Sequence, residues 1–430
     1  MTARTSPSAG VGLTQRVERA ASGWYLTRAM TLDLAKRLDV VQPSATVAIA
    51  QKARELQAKG IDVLSFSVGE PDFDTPLAIR DAAKKAMDAG ATRYTASGGI
   101  VELRQAIAER SAARRGGVKH SPNEVIVSVG AKHTLFNLAL ALFEEGDEVV
   151  IPAPYWVSYP EHARMFGAEP VFIETTAQDG YRVSPAQLEA AISPRTKAVV
   201  LCSPSNPTGA AYSGPQLRAL ADVLAKHRCW IIVDEIYGEL VYGGFEQKSI
   251  LEVAPELRDR IVIVDGVSKT YAMTGWRIGW MLAPKHLVDA CNTVQGQATT
   301  NPTTIAQWAT VAALTGSQDP VVEMRTAFEK RRQLVVEGIN GTTGLSCPTP
   351  EGAFYAFVDA SPLIGRKTPS GVVLADDLQL CAYLLEEARC AMVPGSAFGA
   401  PGCFRMSYAC SEAQITEGIE RLRGAIAKLG

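Results

Sequence analysis

The stretch from Ile261 to Trp280, IVIVDGVSKTYAMTGWRIGW, constrains this chain more than any other. Its β-branched start, Ile261 to Val264, predicts a fully buried strand that ends at Asp265-Gly266, so Lys269 emerges in the turn just past the strand end. Open α/β sheets gather ligands outside the carboxyl ends of their strands. Most lysines are solvated surface groups. Lys269 differs because small or apolar residues frame it (Val267, Ser268, Ala272, Met273, Gly275) and because Arg277, a fixed cation able to hold an anion, follows on the same turn segment. A desolvated amine near a second cation has a lowered pKa and, once neutral, is a nucleophile toward an aldehyde.

With 430 residues the chain is long enough for two domains with substantial cores. A net charge of -2 leaves no basic footprint for nucleic acid, and no apolar run approaches the ~18 residues of a membrane span, so neither partner is expected. The eight cysteines are scattered without a C-x-x-C pair, which predicts reduced thiols in a cytoplasmic protein. The five histidines lack metal-ligand spacing, so no metal is expected.

Other segments repeat the pattern of a strand that ends in chemistry. Val125 to Val129 runs into the turn Gly130-Ala131-Lys132 and then a helix expected over Thr134 to Phe143; unpaired N–H groups at such a helix start suit a phosphate. The strand expected over Ala198 to Cys202 ends in Ser203-Pro-Ser-Asn206-Pro207-Thr-Gly209, where two prolines fix the backbone around the Asn206 amide. Trp230 to Val233 predicts a buried strand closed by Asp234-Glu-Ile-Tyr237. Phe404-Arg405-Met-Ser-Tyr sets an arginine in an apolar strand, where it needs an anionic partner.

The run Gly266-Val-Ser-Lys269-Thr-Tyr-Ala-Met-Thr-Gly275-Trp-Arg277-Ile-Gly279 resembles the pyridoxal-phosphate attachment signature of class I aminotransferases, and Asn206, Asp234, Tyr237, Lys269 and Arg277 occur in that family's order. The resemblance covers residues 30–430. It implies an α/β fold: a large domain (75–319) with a mostly parallel seven-stranded sheet sandwiched by helices, and a smaller α+β domain (30–74 and 320–430). It also implies pyridoxal 5'-phosphate bound covalently to Lys269. Arg277, Gly130, Ala131, Lys132 and Ser268 would hold its phosphate, and Trp156, after Pro152-Ala-Pro-Tyr, would stack on its ring. Asp234 would keep the ring nitrogen protonated, and Tyr237 and Asn206 would donate to the ring oxygen.

On the substrate side the resemblance implies that Arg405 and Asn206 hold the α-carboxylate, beside the Gly69-Glu-Pro-Asp-Phe loop and Trp156. Thr46, Lys132 and Thr300-Asn301-Pro302 resemble the distal-carboxylate pocket of bacterial aspartate aminotransferases, a subgroup that includes prephenate-using members. The expected reaction is therefore amino transfer from L-aspartate to 2-oxoglutarate, with an aromatic or prephenate substrate as the alternative. A pyridoxal-phosphate lyase and a non-enzymatic binding protein are remoter readings. Tyr94 would reach a neighbouring subunit's phosphate, which predicts a homodimer with shared sites. Asn206-Pro207 is expected to be cis. Two departures stand out: Gly266 where some relatives place a serine, and Gln42 where prephenate-using relatives often have lysine. Residues 1–29, arginine-rich with the single acid Glu18, read as a disordered extension rather than a transit peptide.

Overall fold

The computed structural model describes residues 34–430, of which Val41–Gly430 form one compact unit. The extension expected over residues 1–29 lies outside the described residues. A short strand β1 (Leu64–Ser65) precedes seven strands that form one sheet: β2 (Val125–Ser128), β3 (Glu148–Ala153), β4 (Glu169–Glu174), β5 (Thr196–Cys202), β6 (Trp230–Asp234), β7 (Ile261–Gly266) and β8 (Gly279–Leu282). Their order is β2-β8-β7-β6-β5-β3-β4. The run β7-β6-β5-β3-β4 is parallel throughout, and β8 pairs antiparallel with both β7 and β2.

Helices cover both faces, which is why the central strands are near-continuous apolar runs. Alternate residues serve alternate cores. Val199, Leu201, Ile231, Val233, Ile261 and Ile263 join one cluster, and Val200, Ile232, Val262, Val264 and Met281 join the other. A third core gathers β9 (Tyr355–Asp359), β10 (Cys390–Ala391) and β12 (Cys403–Ser407) with the helices Asp319–Asn340 and Glu412–Ile426, while Val393 of β11 (Val393–Pro394) packs with Phe357 and Phe398. Here β11-β12-β9 form an antiparallel sheet, and β1 pairs with β10.

This topology brings one edge of the large sheet to a focus. Cys202 lies opposite Asp234, so the parallel strands β5 and β6 finish level with each other, and β7 ends beside them at Gly266. Because β8 runs the other way, its first residue, Gly279, pairs with both Gly266 and Ser128. The turns holding Asn206, Lys269, Arg277 and Gly130 therefore leave the sheet at the same edge. The helix after β2 begins earlier than its sequence suggests, at Ala131 rather than Thr134, so Ala131 and Lys132 belong to its first turn and Gly130, with φ 85°, is its N-cap. The Asn206-Pro207 bond is cis, as expected.

Gly279 is held to glycine by close approach of backbone: a Cβ there would lie 2.2 Å from the Ala131 nitrogen and 2.5 Å from the Gly130 carbonyl carbon. Backbone on that side leaves no cheap relaxation. Gly279→Ala should lower stability by about 1–3 kcal/mol, read as a reduced urea midpoint with an unchanged m-value.

Candidate active site

A cavity of about 340 Å³ opens at that sheet edge. Its wall takes Asn206 from beyond β5, Asp234 from the end of β6, and Ser268, Lys269 and Arg277 from the β7–β8 connection. Ala131 and Lys132 come from the helix start, and Tyr355 and Arg405 from the smaller sheet. Four of these groups are cationic, and their partners are neutral. Lys269 Nζ donates to the Gly69 carbonyl, and Arg277 donates to the Thr274 carbonyl at 2.7 Å. Lys132 Nζ sits 5.0 Å from the Trp156 ring centroid. Arg405 donates to Asn206 Oδ1 at 2.8 Å and to the Ser67 carbonyl at 2.7 Å, while its buried Nε has no partner among the described residues. A cavity with this charge calls for an anionic ligand.

Burial lowers the Lys269 pKa from 10.5 to about 8; nearby Glu70 opposes the shift, and Arg405 and Arg277 add to it. Lys132 is lowered too, by burial first and then by Arg277. Asp234 moves the other way. Burial raises it to about 6, although Tyr159 Oη donates to its Oδ2 at 2.8 Å and the Ile236 N–H to its Oδ1 at 3.1 Å. Two bonds leave acceptor capacity on the carboxylate. Its neighbour Glu235 is satisfied by Arg115 at 2.7 Å, and Arg115 also holds Asp265 at 2.9 Å. Alternation along the chain at the end of β6 thus sends one acid into an ion-pair network and leaves the other for the cavity.

At the opposite end Arg277 takes a left-handed backbone, φ 59°, and its guanidinium packs on Gly130, where a Cβ would lie 2.4 Å from Nη2. Non-glycine residues adopt this conformation at a cost, and such strain concentrates at functional sites. Thr46, Gly69, Ala131, Lys132, Trp156, Asn206, Asp234, Tyr237, Ser268, Lys269, Arg277 and Arg405 all line the cavity. Gly130 backs it through Arg277. Tyr94 does not line it; its side chain is 89% exposed. Thr300, Asn301 and Pro302 also lie outside its wall. Gly266 stands where a Cβ would come within 3.0 Å of the Ile278 carbonyl oxygen, so a serine there would be crowded. Sequence reasoning missed Tyr159, which no motif announces, and Tyr355, whose Gly-Ala-Phe-Tyr turn reads only as punctuation.

The model of the family "Aminotransferase class I and II" matches residues 61–422. The chain belongs to the class I and II aminotransferases. It is 47% identical over 394 residues to an aspartate aminotransferase of Geobacillus stearothermophilus, covering 91% of this chain and 98% of that protein. It is 46% identical over 397 residues to an aspartate/prephenate aminotransferase of Cereibacter sphaeroides, covering 92% and 99%. The crystal structure of the Rhizobium meliloti aspartate aminotransferase superposes with a TM-score of 0.90 at 44% identity, covering 93% of this chain and all of that one.

Aminotransferases of this family depend on pyridoxal phosphate and act on amino acids and 2-oxoacids. The residues present fit that cofactor. Arg277 and the first helical turn offer donors to a phosphate, Trp156 offers an aromatic face, and the spare acceptor on Asp234 suits a protonated ring nitrogen. Among the described residues, no helix of this aminotransferase is long and apolar enough to cross a membrane.

Rising pH deprotonates Lys269, and only the neutral amine attacks a carbonyl. The rate of reductive labelling of Lys269 by a small aldehyde, followed by peptide mapping, should rise with pH and level off above about 8. A rate still climbing toward 10.5 would show an amine in ordinary solvation.

Proposed function

We propose that this aminotransferase moves the amino group of L-aspartate to 2-oxoglutarate, with pyridoxal 5'-phosphate attached to Lys269. The observation that carries the reading is one cavity that a lowered-pKa lysine shares with Arg405 and Lys132, two cations that could pair with the two carboxylates of a dicarboxylate. The names of the relatives support it. A prephenate activity is the second reading, favoured by the aspartate/prephenate relative.

When bound, the cofactor supplies an aldehyde carbon that accepts the amino group and a protonated ring that withdraws electrons from the substrate Cα. The chain's own residues do the rest. Arg405 keeps donor capacity beyond its bonds to Asn206 and Ser67, and uses it to hold the α-carboxylate, with the Asn206 amide alongside. Lys132 and Thr46 face the distal carboxylate. Lys269 Nζ, free of the cofactor once the substrate's amino group has taken its place, would as a neutral amine take the proton from the substrate Cα and deliver it to the cofactor's former aldehyde carbon. Ionised Asp234 keeps the ring nitrogen protonated; Tyr159 and the Ile236 N–H hold its carboxylate in place. Ser268, Gly130, Ala131, Lys132 and Arg277 anchor the phosphate.

We further infer a homodimer in which Tyr94, exposed here, completes the partner's phosphate site. We further propose a large domain of residues 75–319 and a smaller one of 30–74 with 320–430; most of the third core comes from the latter, and Ile236, Tyr237, Leu240 and Tyr242 join it from the former. Eight free cysteines suit a reducing, cytoplasmic setting.

Titrating the cofactor-loaded protein without any oxoacid tests the substrate. Aspartate should bleach the visible band at far lower concentration than phenylalanine; equal potency would remove Lys132 as the discriminating contact. Lys269→Ala should cut steady-state transamination by at least about 100-fold, and near-normal turnover would sink the assignment.

A further inference from the structure

Tyr355 is the first residue of β9 and is almost fully buried. Three functional features converge on it. Its hydroxyl lies 2.8 Å from that of Tyr237. Its ring lies under Arg405, whose Cζ is 4.5 Å from the ring centroid. Gly69 packs so closely that a Cβ there would sit 2.3 Å from Tyr355 Oη. We propose that Tyr355 is a positioning residue that donates its hydroxyl hydrogen to Tyr237, so that the hydrogen of Tyr237 is left to face the cofactor's ring oxygen. This rests on the reading of the site given above.

Two hydroxyls in contact share one hydrogen between them and leave one free. If Tyr237 donated to Tyr355, its only hydrogen would be spent and it could not serve the ring oxygen. The more acidic hydroxyl is the better donor, and Arg405, with Cζ 4.5 Å from the Tyr355 ring centroid, sets its positive charge directly on Tyr355. Burial raises both hydroxyls and Arg405 opposes the rise in both, but the contact between them lowers Tyr355 and raises Tyr237, so Tyr355 is the more acidic of the pair. Arg405 therefore polarises Tyr355 toward donation, and the network runs from the carboxylate-binding arginine to the cofactor's edge. The ring of Tyr355 supplies the packing; its hydroxyl supplies the direction.

Tyr355→Phe keeps the ring under Arg405 and against Tyr237 and removes only the hydroxyl. A donor on the ring oxygen stabilises negative charge there, so weakening it raises the pH at which the visible spectrum of the pyridoxal-phosphate-loaded protein titrates. The expected shift is upward by about one pH unit. In a Tyr237→Phe background the same substitution should add no shift, because its effect passes through the hydrogen of Tyr237. An unchanged midpoint in Tyr355→Phe, or the same shift in both backgrounds, overturns the proposal while leaving the cofactor assignment intact. A wild-type protein that acquires no visible band with pyridoxal phosphate overturns that assignment and the proposal together.

Discussion

Withdrawal of the Lys269 amine from water is the constraint on which the rest of the site depends. An ammonium in a buried cavity with Arg405 and Arg277 near it is disfavoured on two counts, and the pKa falls into the range where a neutral amine is available. The same positive surroundings make the cavity a receptor for anions. One arrangement therefore has two effects: it lowers the lysine's pKa and it makes the cavity cationic. The single acid among the described residues of the wall, Asp234, tempers that charge.

The sheet simplifies the assembly of this arrangement. Parallel strands β5, β6 and β7 end side by side, so three short turns deliver an amide, a carboxylate and an amine without any long loop. The antiparallel β8 returns Arg277 to the same edge, and Gly279 lets the helix start at Ala131 close against it. Beneath, Arg115 ties Glu235 to Asp265 across β6 and β7. Removing one partner from such a buried cluster costs on the order of 3–5 kcal/mol, so the strand ends that present Asp234 and Lys269 are firmly joined.

The central strands were legible in the sequence because burial on both faces writes itself as unbroken β-branched runs, as in Ile261 to Val264. Asn206, Asp234, Lys269 and Arg405 were legible because each ends or interrupts such a run with a group that apolar surroundings do not tolerate alone. Element ends were less so: the helix after β2 starts at Ala131, since Gly130 as N-cap marks a boundary that hydrophobic periodicity does not encode. Tyr159 and Tyr355 were hidden because a tyrosine in a helix or a turn looks the same whether its hydroxyl meets solvent or a buried polar group.

The sequence by itself determined the class of fold, and it singled out Lys269 and the charged groups around it, since these follow from patterns local to a few residues. Only the tertiary structure decided that Asp234 rather than Glu235 faces the cavity, that Tyr94 stands outside it, and that Tyr355 joins Tyr237 to Arg405. Those outcomes depend on which face of a strand meets which neighbour, and residues 118 positions apart along the chain, such as Tyr237 and Tyr355, carry no mark of each other until the two sheets close around them.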